Sequence, residues 1–353
     1  MPARITMQQI ADRVGVSKFA VSKALSGKAG VSLETREKIV QAAARLGYFA
    51  QRRPRSPVVR GAPPAGEERT GTRRTVIVLI PNERYQNRQS AYWGRIIDGI
   101  GEVLEQQRLG MMIITEQEAD HFPQLIKTDA VLGLIGVGHI ANQLLLEVRN
   151  MGIPFVLVDH EDPLIPTDTL FMNNYECVRR MTHCLLGDGH RSLQFVGNVG
   201  FSRSFRDRWL GFRSLLEERD IPLAQDERLL AIGGANRSEM TEALEPIVGD
   251  LAQRRALPSA FVCANDSIAI CVMTALMKMN VSVPEQVSVA GFDDIDDAAL
   301  SQPTLSTVHV DKEALGRRAV DTLLWRIARP DEPKEKILLA GDIVLRQSTA
   351  AAP

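Results

Sequence analysis

The sequence predicts a small all-α head followed by a two-lobed α/β body with parallel sheets. Within the first fifty residues, three short segments repeat apolar side chains at helical spacing. From Arg74 onward, apolar segments of strand length alternate with amphipathic helices, which is typical of parallel sheets that are covered on both faces. The 353 residues suffice for about two domains. We therefore expect a head at residues 1–50, a linker at 51–73 and a body at 74–350.

The charge of the chain is divided unevenly between these parts. Residues 1–74 contain fifteen Lys and Arg against five Asp and Glu, whereas the remainder contains 27 against 38. A short basic module joined to an acidic body is typical of a protein that binds a polyanion such as DNA. A basic disordered tail would have the same charge, so the fold of the first fifty residues must decide between the two.

Composition also limits the compartment and the chemistry. No apolar segment approaches the roughly 20 residues of a membrane span, and the N-terminal residues lack the apolar core of a signal peptide. We expect a cytoplasmic protein without membrane contact. The four cysteines form no C-x-x-C motif and have no metal-type histidines nearby. Buried reduced thiols are therefore expected, with no metal and no cofactor.

The head has the start signals of three helices. Thr6 and Gln9 form a capping box, and after a glycine turn Ser17 can cap a second helix. The predicted helices span residues 6–14, 17–25 and 32–47. Two short helices joined by a tight turn and supported by a third form a helix-turn-helix.

The second helix is the one that would enter the major groove of DNA. Lys18 and Lys23 can reach guanine edges or phosphates, and Phe19 can contact a thymine methyl group. Hydroxyl groups suited to phosphate contacts belong to Thr6, Ser17 and Ser22. The alternative is a solvated face of a small helical bundle, which an exposed Phe between two lysines disfavours.

The stretch ITMQQIADRVGVSKFAVSKALSGKAGVSLETREKIVQAAARLGY resembles the DNA-binding head of the lactose/galactose-repressor family. Members of that family continue with a short hinge helix that enters the minor groove. Here Pro54 and Pro57 would each cost a helix about 3 kcal/mol. We expect an extended linker, with a short helix near residues 58–60 on DNA as the alternative. Arg52 and Arg53 could follow phosphates or enter a narrow minor groove.

The body again resembles this family, whose sensing domain has the periplasmic-binding-protein fold. The segments that carry the resemblance are GIPFVLVD, LLGDGHRSLQFVGN, RDRWLGF, FVCANDSIAI, VSVAGFDDI and LRQST. The strands expected in it are 75–80, 111–115, 130–135, 154–159, 193–197, 260–264 and 287–291, with a further strand in LLAIGG at 229–234. The expected helices are 96–108, 142–151, 177–186, 209–219 and 267–279.

The resemblance implies a small-molecule effector site at the carboxyl ends of these strands. Arg208 matches the family's arginine that donates hydrogen bonds to effector hydroxyls or to an effector carboxylate. Asp293 matches the acid that accepts hydrogen bonds from effector hydroxyls or amines. Asn265 and Asp159 end strands that face the same site. A salt bridge between Arg208 and Asp293 is the structural alternative to effector contact. Asp266 is expected to act as the N-cap of the helix that follows.

One departure from the family concerns the ligand. Arg237 stands where family members often have an aromatic ring that stacks on a sugar or a base. It either favours an anionic effector, such as a sugar phosphate, or is a plain surface arginine. Tyr85, after the first strand of the body, could supply the stacking instead.

Two other classes of protein agree less well with the sequence. An enzyme is disfavoured because no nucleophile elbow or complete dinucleotide motif is present, and the acids of DDIDD lie adjacent without a histidine motif. A transport binding protein would need a signal sequence and no DNA-binding module. The sequence therefore predicts a transcriptional regulator, favouring a repressor over the alternative of an activator. It would act as a homodimer on a palindromic operator and be controlled by a sugar-like, possibly anionic, effector.

Overall fold

A computed structural model describes residues 5–25, 30–46, 48, 74–81, 90–119, 121–126, 130–234 and 236–353. The predicted linker at 51–73 lies outside these residues, as do Arg52, Arg53 and Tyr85. The predicted domain boundaries therefore remain predictions. Among the described residues, no helix is long and apolar enough to cross a membrane.

The head consists of the three expected helices, α1 (Met7–Val14), α2 (Lys18–Leu25) and α3 (Leu33–Arg45). The side chains of Ile10, Val21 and Ile39, one from each helix, are buried. The periodicity read from the sequence is thus the periodicity of this small core.

The chain divides into two compact units, of which the first comprises residues up to 87, 97–169 and 316–336. The sheet of this unit has the strand order β10-β5-β4-β3-β1-β2, and β1 pairs in parallel with both β2 and β3. The strands are β1 (Thr75–Leu79), β2 (Gly110–Ile114), β3 (Val131–Val137), β4 (Phe155–Val158), β5 (Asp168–Met172) and β10 (Lys336–Leu339). The helices of this part of the chain are α4 (Trp93–Gln106), α5 (Phe122–Leu125), α6 (Asn142–Asn150) and α12 (Lys312–Ala328).

The second unit comprises residues 88–96, 170–315 and 337–353. Its three-stranded parallel sheet has the order β6-β7-β8, and β9 pairs antiparallel with β11. These strands are β6 (Leu193–Val196), β7 (Ala260–Cys263), β8 (Ser288–Ala290), β9 (Thr307–His309) and β11 (Asp342–Val344). The helices are α7 (Asn174–Gly187), α8 (Arg203–Glu218), α9 (Arg237–Gln253), α10 (Asp266–Lys278) and α11 (Asp296–Leu300). Parallel strands alternating with helices confirm the predicted fold class.

One expected strand is wrong. The segment expected as a strand at 229–234 overlaps a 3-10 helix at Glu227–Ala231 instead. The side chain of Asp226 accepts a hydrogen bond from the amide of Arg228 and so starts a turn, which overrides the apolar pattern of the Leu-Leu pair. The carbonyls of Leu229 and Leu230 still accept hydrogen bonds from the segment that follows β6.

A fully buried ion pair organises one chain segment of the first unit. Arg326 of α12 donates from Nε and Nη2 to the two carboxylate oxygens of Asp168, at 2.6 and 2.8 Å. The Nη1 group of Arg326 donates to the carbonyl of Glu332 at 2.7 Å, and the amide of Glu335 donates to Asp168 at 2.8 Å. The pair therefore fixes the loop before β10 as well as its own two elements.

We predict that Asp168→Ala lowers the free energy of unfolding by about 3–5 kcal/mol, because the buried charge of Arg326 loses its carboxylate. Urea unfolding of the full chain measures this. Glu218→Ala, which removes the exposed partner of Arg179, is the matched control and should change the free energy of unfolding far less, because solvent screens an exposed ion pair. Equal effects of the two substitutions would contradict the prediction.

Candidate DNA-binding face and effector site

The two caps expected in the head are present. The amide of Gln9 donates to Thr6 Oγ1 at 3.3 Å, and the amide of Thr6 donates to Gln9 Oε1 at 2.8 Å, which completes the capping box. The amide of Ala20 donates to Ser17 Oγ at 3.1 Å. These hydroxyls fix where α1 and α2 begin; phosphate contact by Thr6 and Ser17 stays a prediction.

The outer face of α2 is a mixed aromatic and cationic surface. Phe19 is 69% exposed, the highest exposure of any large apolar side chain in the described head, and Lys18 is exposed beside it. Ser22 and Lys23 are half-buried, and Lys23 Nζ lies 5.0 Å from the centroid of the Phe19 ring. The attraction between a cation and an aromatic face is weak in water, so both side chains remain available for other contacts.

Arg208, in the middle of α8, is the centre of the candidate effector site in the second unit. It is only 2% exposed. Its Nε donates to Asn174 Oδ1 at 2.8 Å, Nη1 to the carbonyl of Ala264 at 2.5 Å, and Nη2 to Asp293 Oδ1 at 3.2 Å. The guanidinium also stacks 3.6 Å from the centroid of the Phe292 ring. Each of the three guanidinium nitrogens of Arg208 therefore has an acceptor within the unit.

The salt bridge between Arg208 and Asp293, which the sequence left as the alternative to effector contact, is present in the structure. Burial raises the pKa of Asp293, while the charges of Arg208 and Lys312 act in the opposite direction. Five N–H groups on a guanidinium exceed the three hydrogen bonds made here, so contact with an effector is compatible with the bridge. That contact stays a prediction.

The N-cap of α10 is Asn265 and not Asp266, so that expectation was wrong. Asn265 has extended backbone and accepts a hydrogen bond from the amide of Ile268 at 2.9 Å. The cap uses the Asn265 amide oxygen and leaves its NH₂ group as the donor that could reach an effector. The two side chains have similar capping preferences, so the sequence alone could not decide between adjacent positions.

Asp266 is instead a buried acid inside the site. Its Oδ2 accepts from the amide of Ile295 at 2.9 Å and its Oδ1 from the hydroxyl of Thr307 at 2.5 Å. A side chain at Gly291 would place its Cβ 2.2 Å from Asp266 Oδ1, so the glycine permits this approach. Burial first, and then the charge of Asp293, raise the pKa of Asp266 to about 7.

The remaining expected site residues are placed differently. Asp159 directly follows β4 in the first unit and has a positive φ of 53°. Arg237, the first residue of α9, pairs through Nη2 with Asp297 Oδ2 at 2.5 Å, and both side chains are about half-exposed. Arg237 thus has the salt-bridge partner expected of a surface arginine, and its role in effector binding stays a prediction. Tyr85 lies outside the described residues.

Sequence reasoning missed two polar residues that contact this network. Asn174 is buried and accepts from Arg208 Nε, while its own Nδ2 has no hydrogen-bond partner among the residues that the structure describes. Lys312 is fully buried at the start of α12. The pair of asparagines that follows the segment 168–172 was the available signal for Asn174, but that segment had not been recognised as a strand. A single lysine in a charged stretch gives no signal of burial.

The described residues contain no group of three or more His, Cys, Asp and Glu side chains that could hold a metal ion. All four cysteines are free thiols; Cys177, Cys263 and Cys271 are buried and Cys184 is half-buried. Burial raises the pKa of each of these thiols, which keeps them protonated and unreactive at neutral pH.

The buried acid gives a pH prediction. The carboxyl of Asp266 releases its proton near pH 4 when the chain is unfolded and near pH 7 when it is folded. Between these values the folded state holds the extra proton, so stability falls as the pH rises from about 4 to about 7. Asp266→Asn should remove this loss, which amounts to about 4 kcal/mol over the window.

Unfolding by urea at several pH values compares wild type with Asp266→Asn. Asp297→Asn, at an exposed carboxylate, is the matched control and should keep the pH profile of wild type. If Asp266→Asn also keeps the wild-type slope between pH 5 and 7, the acid does not titrate there.

Comparison with protein-family models gives two matches. Residues 6–51 match the family described as bacterial regulatory proteins, lacI family. Residues 182–349 match the periplasmic binding protein-like domain. Together the two matches cover more than half of the chain, including the head and most of the second unit.

Curated relatives match over almost the full length. The chain is 25% identical to the HTH-type transcriptional regulator DegA of Bacillus subtilis (strain 168), with 98% of each chain covered. It is 27% identical to the HTH-type transcriptional regulator AscG of Escherichia coli (strain K12), again over 98% of each. The ribose operon repressor of Haemophilus influenzae is 26% identical over 97% of this chain and 98% of that protein.

Solved structures share the fold. A transcriptional regulator CelR–cellobiose complex matches with a TM-score of 0.72 at 21% identity, covering 98% of this chain and 100% of that one. The lac repressor dimer bound to operator matches with a TM-score of 0.64 at 21% identity, covering 99% of this chain and all of the other. The chain therefore carries the helix-turn-helix head of the lacI family of bacterial regulatory proteins, joined to a periplasmic binding protein-like domain. Its similarity to curated regulators over nearly the full length identifies it as a DNA-binding transcriptional regulator.

Proposed function

We propose that this regulator is a cytoplasmic repressor that binds a palindromic operator as a homodimer and is controlled by a sugar-like effector. The observation that carries the DNA-binding part is the outer face of α2, where Phe19 is exposed and Lys23 lies over its ring. In this proposal α2 enters the major groove, where the two lysines of the helix contact guanine edges or phosphates.

The remaining contacts of the head follow from the same placement. The Phe19 ring meets a thymine methyl group, and the hydroxyls near the helix starts contact phosphates. These hydroxyls belong to Thr6, Ser17 and Ser22. Arg52 and Arg53 would follow the phosphate backbone beyond the head. A two-fold symmetric dimer reads two symmetric half-sites, so the operator should be a palindrome.

The effector part of the proposal is supported by the chemistry around Arg208. A guanidinium with unused N–H groups, the carboxylate of Asp293 and the amide NH₂ of Asn265 offer both donors and an acceptor, which polyol recognition requires. The names of the similar proteins include a ribose operon repressor, and similar structures contain cellobiose or ribose. Asp159 and Tyr85 are proposed as further contacts, and Arg237 as the group that would favour an anionic effector.

The DNA-binding proposal predicts that Phe19→Ala weakens operator binding by roughly 5- to 150-fold, because one base contact is worth about 1–3 kcal/mol. The operator is first isolated by selection from random DNA with the full chain, and affinity is then measured by fluorescence anisotropy at fixed salt. Lys38→Ala, at an exposed lysine of α3, is the control and should change affinity less. Unchanged affinity of Phe19→Ala for the selected site would contradict the assignment of α2.

The effector proposal predicts a thermal shift with a member of a panel that contains ribose, cellobiose, ribose 5-phosphate, gluconate and adenine. A true effector at 100 times its Kd stabilises the protein by about 2.7 kcal/mol. Arg208→Ala should lose most of this ligand-induced shift, measured against its own melting temperature without ligand. Arg237→Ala should lose it only for anionic compounds.

The matched control is Arg228→Ala, which removes an exposed arginine paired with Asp226 and Asp250. It should retain the full shift. A panel without any shift would contradict a sugar-like effector, and a shift that survives in Arg208→Ala would place the effector elsewhere.

A further inference from the structure

The loop that carries Asp293 has a backbone that side chains rarely adopt. Asp293 has a φ of 109° and Asp294 a φ of 50°. Such angles are unfavourable for a residue other than glycine and persist only where the surroundings enforce them. The carboxylate of Asp293 accepts from Arg208, but that bond alone does not fix two consecutive left-handed residues.

A fully buried lysine enforces this turn. Lys312 Nζ donates to the carbonyl of Asp293, to that of Asp294 at 3.3 Å and to that of Val310 at 3.3 Å. An ammonium group has three N–H donors, so the three carbonyls use all of them, whereas a neutral amine would leave one carbonyl without a donor. Among the described residues, the hydrogen bonds of Lys312 Nζ all go to main-chain carbonyl oxygens. Lys312 therefore fixes the backbone of the loop and does not bond the Asp293 carboxylate.

The charges around Lys312 explain how an ammonium group is kept in this interior. Burial lowers the pKa of Lys312, and Arg95 acts in the same direction, while the carboxylates of Asp293, Asp294 and Asp266 raise it. Arg95 is itself paired with Glu313 at 3.1 Å. Asp294 is paired with Arg346 at 2.7 Å and with His309 at 2.9 Å.

We propose that Lys312 is a positioning residue of the effector site, whose buried ammonium group holds the turn at Asp293 and Asp294 so that the Asp293 carboxylate faces Arg208. This inference rests on the proposed roles of Arg208 and Asp293 in effector binding. If Lys312 were merely stabilising, its removal would lower overall stability without a specific change at the guanidinium of Arg208. The two roles therefore predict different results at Arg208.

The test is the Nε–H resonance of Arg208 in ¹⁵N-edited NMR spectra of the full chain without any ligand. Its assignment follows from its absence in Arg208→Lys. Because this N–H is buried and bonded to Asn174, it should exchange slowly with solvent. In Asp293→Asn the exchange should become about tenfold faster, as expected when a guanidinium loses a charge-assisted hydrogen bond.

Lys312→Met should reproduce the chemical-shift change and the faster exchange of Asp293→Asn, although it leaves both Arg208 and Asp293 in place. Lys312→Arg, which keeps the charge and the donors, should stay near wild type. The matched control is Lys278→Met, at an exposed lysine of α10 paired with Glu245. The Nε–H of Arg326, bound to Asp168 in the other unit, should be unchanged in all variants.

A folded Lys312→Met protein with a wild-type Arg208 resonance would overturn the proposal. If Lys312→Met does not fold, Lys312→Gln, which offers two donors to the three carbonyls, takes its place with the same criterion. Failure of both to fold, or equal changes at Arg208 and Arg326, would also overturn it, since Lys312 would then stabilise the fold as a whole. Because no effector is used, a panel without binders would count against the proposed function and not against this result.

Discussion

The second unit is organised around the cost of burying the guanidinium of Arg208. A cation without partners in a protein interior costs several kcal/mol, so the surrounding chain must supply acceptors from every side. The acceptors come from the start of α7, the end of β7 and the loop after β8. Three segments distant in sequence are thus required to meet at one point, and the ring of Phe292 covers the face that hydrogen bonds cannot reach.

The same requirement extends through Asp293 to residues that do not contact Arg208 themselves. Asp293 must stand in an unfavourable backbone conformation to meet the cation, and Lys312 supplies donors for the carbonyls that this conformation turns inward. Asp266 then satisfies the amide of Ile295 at the far end of the loop. Burial raises the pKa of Asp266 and lowers that of Lys312, so the two groups at the outside of this network are both shifted towards their neutral forms.

Prediction from the sequence succeeded where local signals agree with the final structure. The capping box at Thr6, the cap at Ser17 and the apolar periodicity gave the head, and the strand cores of β1, β3, β6 and β7 followed from continuous apolar segments. It failed where long-range partners decide. Lys312 is buried only because three carbonyls converge on it, and β9 and β11 are three-residue strands that depend on each other.

The two functional surfaces differ in how function is tied to stability. The groups of α2 that are proposed to contact DNA are exposed or half-buried and contribute little to the core, so Phe19 or Lys18 can change, and with them the operator, at small cost to folding. Arg208 and Asp293 are buried partners in one network, and removal of either leaves the other charge uncompensated. Effector specificity should therefore vary through polar residues outside this ion pair, such as Asn265, while the ion pair itself is kept as a structural requirement.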